Sequence, residues 1–186
     1  MNILVIPSWY PNGLDQLMGI YHKEFCEALA MSNNIRVNML FIERERLNNP
    51  LKFLFMPKHK KISEKNYHVY ITRMLNRERL NYKWQIHSYV KVLDHAFKAY
   101  LKENPKPDVI HAMVTIPAGY AACVLGKKYN IPVVITEHAS YAKTFFEGQN
   151  KSFGLYALNN VSYFTTVSQY MLEEIPETYT PKAVLP

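Results

Sequence analysis

Asp108-Val109-Ile110-His111-Ala112-Met113 and Pro132-Val133-Val134-Ile135-Thr136-Glu137-His138-Ala139-Ser140 are two apolar runs, each of which passes into polar residues at its end. Between them lies a stretch rich in small side chains, with Ala118, Ala121, Ala122 and Leu125. Strands buried on both faces read as unbroken apolar runs, and two parallel strands need a helical crossover to join them. The stretch therefore predicts one strand, helix, strand unit of a parallel sheet. In open sheets of this kind ligands bind beyond the carboxyl ends of the strands. Thr136, Glu137, His138 and Ser140 fall at that position.

The same alternation extends in both directions. Asn2 to Ile6 reads as a buried first strand, followed by a loop from Pro7 to Gly19. The next helix places Tyr21, Phe25, Ala28 and Leu29 on one face and Lys23, Glu24 and Glu27 on the other. Ile35 to Ile42 and Tyr67 to Ile71 are further strands. Ile86, Tyr89, Val90, Leu93, Phe97, Tyr100 and Leu101 keep helical spacing over a long helix from Leu80 to Leu101. Thr115 is placed to cap the helix of small residues. Ser162 to Ser168 is a last strand before a short helix ending near Pro176, and Lys182 to Leu185 reads as a strand entering a linker. The pattern predicts an α/β fold, a doubly wound, Rossmann-like parallel sheet of six or seven strands.

With 186 residues, 48% of them hydrophobic, the chain is long enough for one well-buried core and short for two. A single domain over residues 1–186 is expected. The two cysteines, Cys26 and Cys123, each lie in a helical apolar pattern with no second thiol or His at ligand spacing. This fits a reducing cytoplasm and argues against a disulfide framework or a zinc site, so no metal is expected. The start lacks the charged, long apolar pattern of a signal peptide, and no run approaches the roughly 18 apolar residues of a spanning helix.

The formal charge of +7 is concentrated. Residues 43–83 hold eleven Lys or Arg against four Glu, which equals the whole excess. Beside Leu51, Phe53, Leu54, Phe55 and Met56, this segment has the composition of a face that docks peripherally on an anionic membrane, at about 1 kcal/mol per basic residue near the lipid. A solvated excursion of the chain has the same composition. The field would also attract nucleic acid, although no nucleic-acid partner is expected.

Several residues have the chemistry of a site. Gly19 stands between a strand loop and a helix, where a bare backbone approaches a phosphate, or where a turn simply needs glycine. His138 follows a buried strand and can act as donor, base or charge stabiliser near neutral pH. His111 lies within its strand and is either a further cleft residue or a buried histidine bonded to a carbonyl. Ser168 is either a ligand contact or the cap of the next helix. The dinucleotide fingerprint, the Walker loop and the G-x-S-x-G elbow are all absent.

The opening ILVIPSWYPN with Gly19 and its helix, the DVIHAM strand, the IPVVITEHAS strand and TTVS, in that order, resemble the amino-terminal domain of glycosyltransferase family 4, of GT-B architecture. The resemblance implies an acceptor-binding domain that faces a carboxy-terminal donor domain across a cleft. It implies a nucleotide-diphosphate sugar as donor substrate with no bound cofactor, a glycan or glycolipid acceptor, and retaining, metal-independent transfer in polysaccharide or glycolipid synthesis. Under it Gly19 would approach the donor diphosphate and His138 would be the cleft histidine, with Thr115, Glu137, Ser140 and Met113 at acceptor positions. Many members carry a second histidine where this chain has Met113. The paired donor-domain glutamates of the family are absent, since no Glu here has another eight positions later. The donor domain is therefore expected to lie outside this chain, beginning near Pro186, and the chain alone to be inactive. The resemblance leaves two other readings open, half of a GT-B-type sugar-nucleotide epimerase and a non-catalytic module at an anionic membrane.

Overall fold

The computed structural model describes residues 1–11, 16–46, 58–76, 81–177 and 182–184. Its elements in chain order are β1 (Asn2–Pro7), α1 (Ile20–Ala30), β2 (Arg36–Arg46), β3 (His59–Ser63), β4 (His68–Asn76), α2 (Tyr82–Tyr100), β5 (Val109–Met113), α3 (Tyr120–Tyr129), β6 (Val133–Glu137), α4 (Lys151–Asn160), β7 (Tyr163–Thr166), α5 (Gln169–Glu173) and β8 (Lys182–Val184). The strands form one sheet in the order β3-β4-β2-β1-β5-β6-β7-β8. Every pairing is parallel except that of β3 with β4. The fold is the doubly wound, Rossmann-like α/β sheet that the apolar runs predict, with one strand more than expected. That strand, β3, reads His-Lys-Lys-Ile-Ser and is largely exposed, so it carries no apolar run to betray it.

Alternation along β1 feeds two cores. Leu4 and Ile6 pack with Leu40, Ile110 and Ile135 beneath α2, α3 and α4, while Ile3 and Val5 pack with Val37, Met39, Val69 and Met113 beneath α1. Cys123 belongs to the first cluster and Cys26 to the second. The inward face of α1 is set by His22 and Cys26, not by Tyr21 and Ala28 as its spacing predicts; Tyr21 is 37% exposed. The long helix begins at Tyr82, where the Asn81 side chain accepts from the Lys83 amide at 2.9 Å.

Glycine 154 in α4 is held against another part of the chain. A Cβ there would lie 2.1 Å from the carbonyl oxygen of Phe145, so α4 presses directly on the short 3₁₀ turn Ala142–Phe146. Among the described residues, no helix is long and apolar enough to cross a membrane. The apolar segment Leu51 to Met56, with Arg77 and Arg79, lies outside the described residues.

Candidate functional site

Strand order reverses at β1, which has β2 on one side and β5 on the other. This switch point opens a crevice beyond the carboxyl ends of the strands, the usual ligand position in such sheets. The Ser8 amide donates to the Met113 carbonyl at 3.2 Å and fixes the two strand ends together.

Val114 follows β5 with φ +78°, a left-handed conformation that is strained for a β-branched residue and that clusters at functional sites. Thr115 then enters a wide turn, Thr115–Gly119, and the regular helix starts only at Tyr120. Thr115 therefore caps no helix, contrary to the sequence expectation. Its amide and its hydroxyl both donate to Oε2 of Glu137, at 2.8 and 2.5 Å. The other oxygen of Glu137 accepts from the amides of His138 and Ala139, at 2.9 and 2.7 Å. This carboxylate is wholly buried and ties the loops after β5 and β6 into one body. Burial raises its pKa, and the four donors oppose that rise.

Three imidazoles gather on this frame. His138 is partly buried and faces Tyr21 and His22, with ring centroids 4.8 and 5.3 Å apart; its Nε2 is buried without a hydrogen-bond partner. His22 is fully buried, neither of its ring nitrogens has a partner among the described residues, and Trp9 stacks on it at 6.3 Å. His111 bonds through Nε2 to the Thr136 hydroxyl at 2.7 Å, and Thr136 continues to Thr165 at 2.7 Å. Burial lowers the pKa of His22 to about 3, with help from His138 and His111, and lowers His111 and His138 to about 4. All three rings are neutral at pH 7. A neutral imidazole both donates and accepts a hydrogen bond, so the buried nitrogens of His22 and His138 keep unused hydrogen-bonding capacity next to the cleft.

His22 is the residue that the helical pattern of α1 concealed, since a histidine among apolar neighbours reads as core. The signal available was its place three residues after Gly19, in the first turn after the glycine. Gly19 itself has φ +69°, and a Cβ there would lie 2.7 Å from the Trp9 carbonyl oxygen, so the close approach requires glycine. Ser140 is exposed at the cleft edge, and Met113 is fully buried in the core below it. Ser168 caps α5, accepting from the Met171 amide at 3.2 Å.

Beside the imidazoles is a cavity of about 130 Å³ lined by Trp9, Arg44, Tyr82, Tyr89, Ile116, Tyr141 and Phe145. Trp9 belongs to both features, since it walls the cavity and stacks on His22. Aromatic walls with one cation and a neighbouring pair of imidazoles suit a polyhydroxylated ring.

Comparison with known proteins agrees with this fold. The sequence profile of Glycosyltransferase Family 4 matches residues 52–184. No curated protein sequence gives a significant match. Among solved structures, the chain is similar to UDP-GlcNAc 2-epimerase from Methanocaldococcus jannaschii, with a TM-score of 0.54 and 16% identity over 94% of this chain and 41% of that one. It is similar to the trehalose-6-phosphate phosphatase N-terminal domain of Candida albicans, with a TM-score of 0.60 and 14% identity over 100% and 48%. It is also similar to a UDP-glucosyltransferase from Polygonum tinctorium, with a TM-score of 0.54 and 9% identity over 98% and 50%. The chain thus spans half or less of the length of each of these structures.

Proposed function

The chain belongs to glycosyltransferase family 4, as an amino-terminal domain of GT-B architecture, and from that premise we propose that it forms the acceptor-binding half of a retaining transferase. The enzyme moves a sugar from a nucleotide-diphosphate donor to a glycan or lipid-linked acceptor. The observation that carries this reading is the aromatic cavity at the switch point, whose wall Trp9 stacks on the buried His22 next to His138.

In this reading the acceptor ring lies between Trp9 and Tyr141, with its attacking hydroxyl directed toward His138. Nε2 of His138 hydrogen-bonds the reacting sugar and stabilises charge that develops as the bond to the diphosphate lengthens. Glu137 does not touch the ligand, because both its oxygens are engaged; it positions the His138 backbone. The bare backbone of Gly19, at the amino end of α1, approaches the departing diphosphate. The donor domain completes the cleft from outside these residues, so the chain alone is inactive. The enzyme works in the cytoplasm, and residues 43–83 hold it to an anionic membrane face.

The decisive experiment is transfer by the full-length enzyme with His138→Ala, assayed with nucleotide-sugar donors and with candidate acceptors. Loss of transfer with donor binding retained supports the reading, and full activity of the variant overturns it. Release of an epimerised free sugar without acceptor would assign the cleft to epimerase chemistry instead.

A further inference from the structure

A second concavity, of about 570 Å³, runs between the β3–β4 edge of the sheet and α2. Its charged lining is of one sign. Lys58, Lys91, His59 and His95 stand around it, and no acidic residue among the described residues lines it. The four are exposed, and neither Lys58 nor Lys91 has an ion-pair partner among the described residues. His59 and His95 stack with centroids 6.0 Å apart. Arg73 also lines the groove, but Glu43 neutralises it at 2.6 Å. Trp84, 48% exposed, adds an aromatic face.

The groove and the aromatic cavity are neighbours. Met74, Leu75 and Trp84 line both, so the groove adjoins the cavity beside the imidazoles and extends from it along α2. A ligand that ends in the cavity has its next units in the groove. Those units meet two unpaired ammonium groups and flat ring faces, the combination that recognises sugar rings carrying negative charge.

We propose that this groove is a binding site for the anionic body of the acceptor, an oligosaccharide carrying carboxylate or phosphate groups one or more units behind the hydroxyl that is glycosylated. The inference rests on the acceptor reading of the cavity and narrows it to a charged acceptor. The membrane contact of segment 43–83 falls to its other basic residues, since the concave form of the groove around Lys58 and Lys91 and its place next to the cavity favour a chain over a plane.

The test is calorimetric titration of the chain with trigalacturonate and with maltotriose, an uncharged trisaccharide, at low and at moderate salt. Trigalacturonate is expected to bind, to weaken as salt rises, and to lose about tenfold in affinity in the Lys58→Gln/Lys91→Gln double variant, with maltotriose bound more weakly and unaffected by that change. Equal binding of the two sugars, or indifference to the lysines, overturns this inference while leaving the acceptor reading intact. Binding of phosphatidylglycerol vesicles with the same lysine dependence, and no binding of trigalacturonate, overturns it in favour of a membrane surface. Failure of sugar transfer by the full-length enzyme, with the charged sugar still bound in the groove, would instead remove the function proposed above.

Discussion

The imidazole of His22 stands edge-on to that of His138, 5.3 Å between ring centres, and the pair leaves three buried ring nitrogens without a partner among the described residues. Such a pair is a cost to the folded chain, and its pH dependence has a fixed sign. The folded pKa of His22 is about 3 against an ordinary 6.5, so the unfolded chain binds the proton first as pH falls. The His22 contribution is complete above about pH 6.5 and is lost between there and about pH 3, at roughly 1.4 kcal/mol per pH unit for its one proton. His22→Leu removes the buried polar atoms and should reduce this slope, the lowered His111 and His138 keeping their own share, and leave stability at pH 7 equal or higher. Thermal melts of both proteins across that range measure the difference; parallel curves would show that His22 does not titrate as described.

Replacement of His138 by alanine should leave the fold intact, because Nε2 has no bond to lose. In the full-length enzyme the same change should lower the rate of transfer by about a hundredfold or more, in the range of a positioned acid, base or donor group. Comparing kcat with KM distinguishes the outcomes, since an effect confined to KM would reduce His138 to a binding contact.

Glu137→Gln is isosteric, yet it turns an amide group toward backbone donors that now share a carboxylate. The expected loss is about 2 to 4 kcal/mol, from the unmade bonds and the buried donors left behind. Denaturant unfolding gives the number directly, and a loss below half a kcal/mol would mean that the loops after β5 and β6 are held by other contacts.

Gly19→Ala combines a positive φ with a Cβ 2.7 Å from the Trp9 carbonyl. A destabilisation of about 1 to 3 kcal/mol is expected, as for other strained backbone positions. Amide exchange should locate the disturbance in the first turn of α1 and around Trp9, and an unaltered exchange pattern there would contradict the close packing.

The apolar runs of β1, β2, β5 and β6 made the sheet legible from sequence, because burial on both faces leaves an unbroken pattern. The antiparallel β3 escaped, since an exposed edge strand needs no apolar residues and this one is written in lysines. His138 was visible from its place after a strand, whereas His22 was hidden inside a helix whose inward face lies about one residue round from the one the spacing suggested. Thr115 looked like a cap because it is a threonine ahead of small helical residues; only tertiary contact shows that its partner is Glu137, 22 positions away. The aromatic cavity combines Trp9, Tyr82 and Tyr141, which have no common period in the sequence and meet only through the crossovers.

Gly154 carries a consequence for variation in this domain. It sits in α4, yet its missing side chain is what lets the Phe145 carbonyl, and with it the ring that walls the cavity, settle where it does. A single methyl group added to that helix would push the wall inward or tilt the turn that bears it. Under the acceptor reading proposed above, changes in acceptor preference can therefore arise from substitutions that never meet the sugar, and a screen for new specificity should mutagenise the helix supporting the cavity as well as the residues that line it.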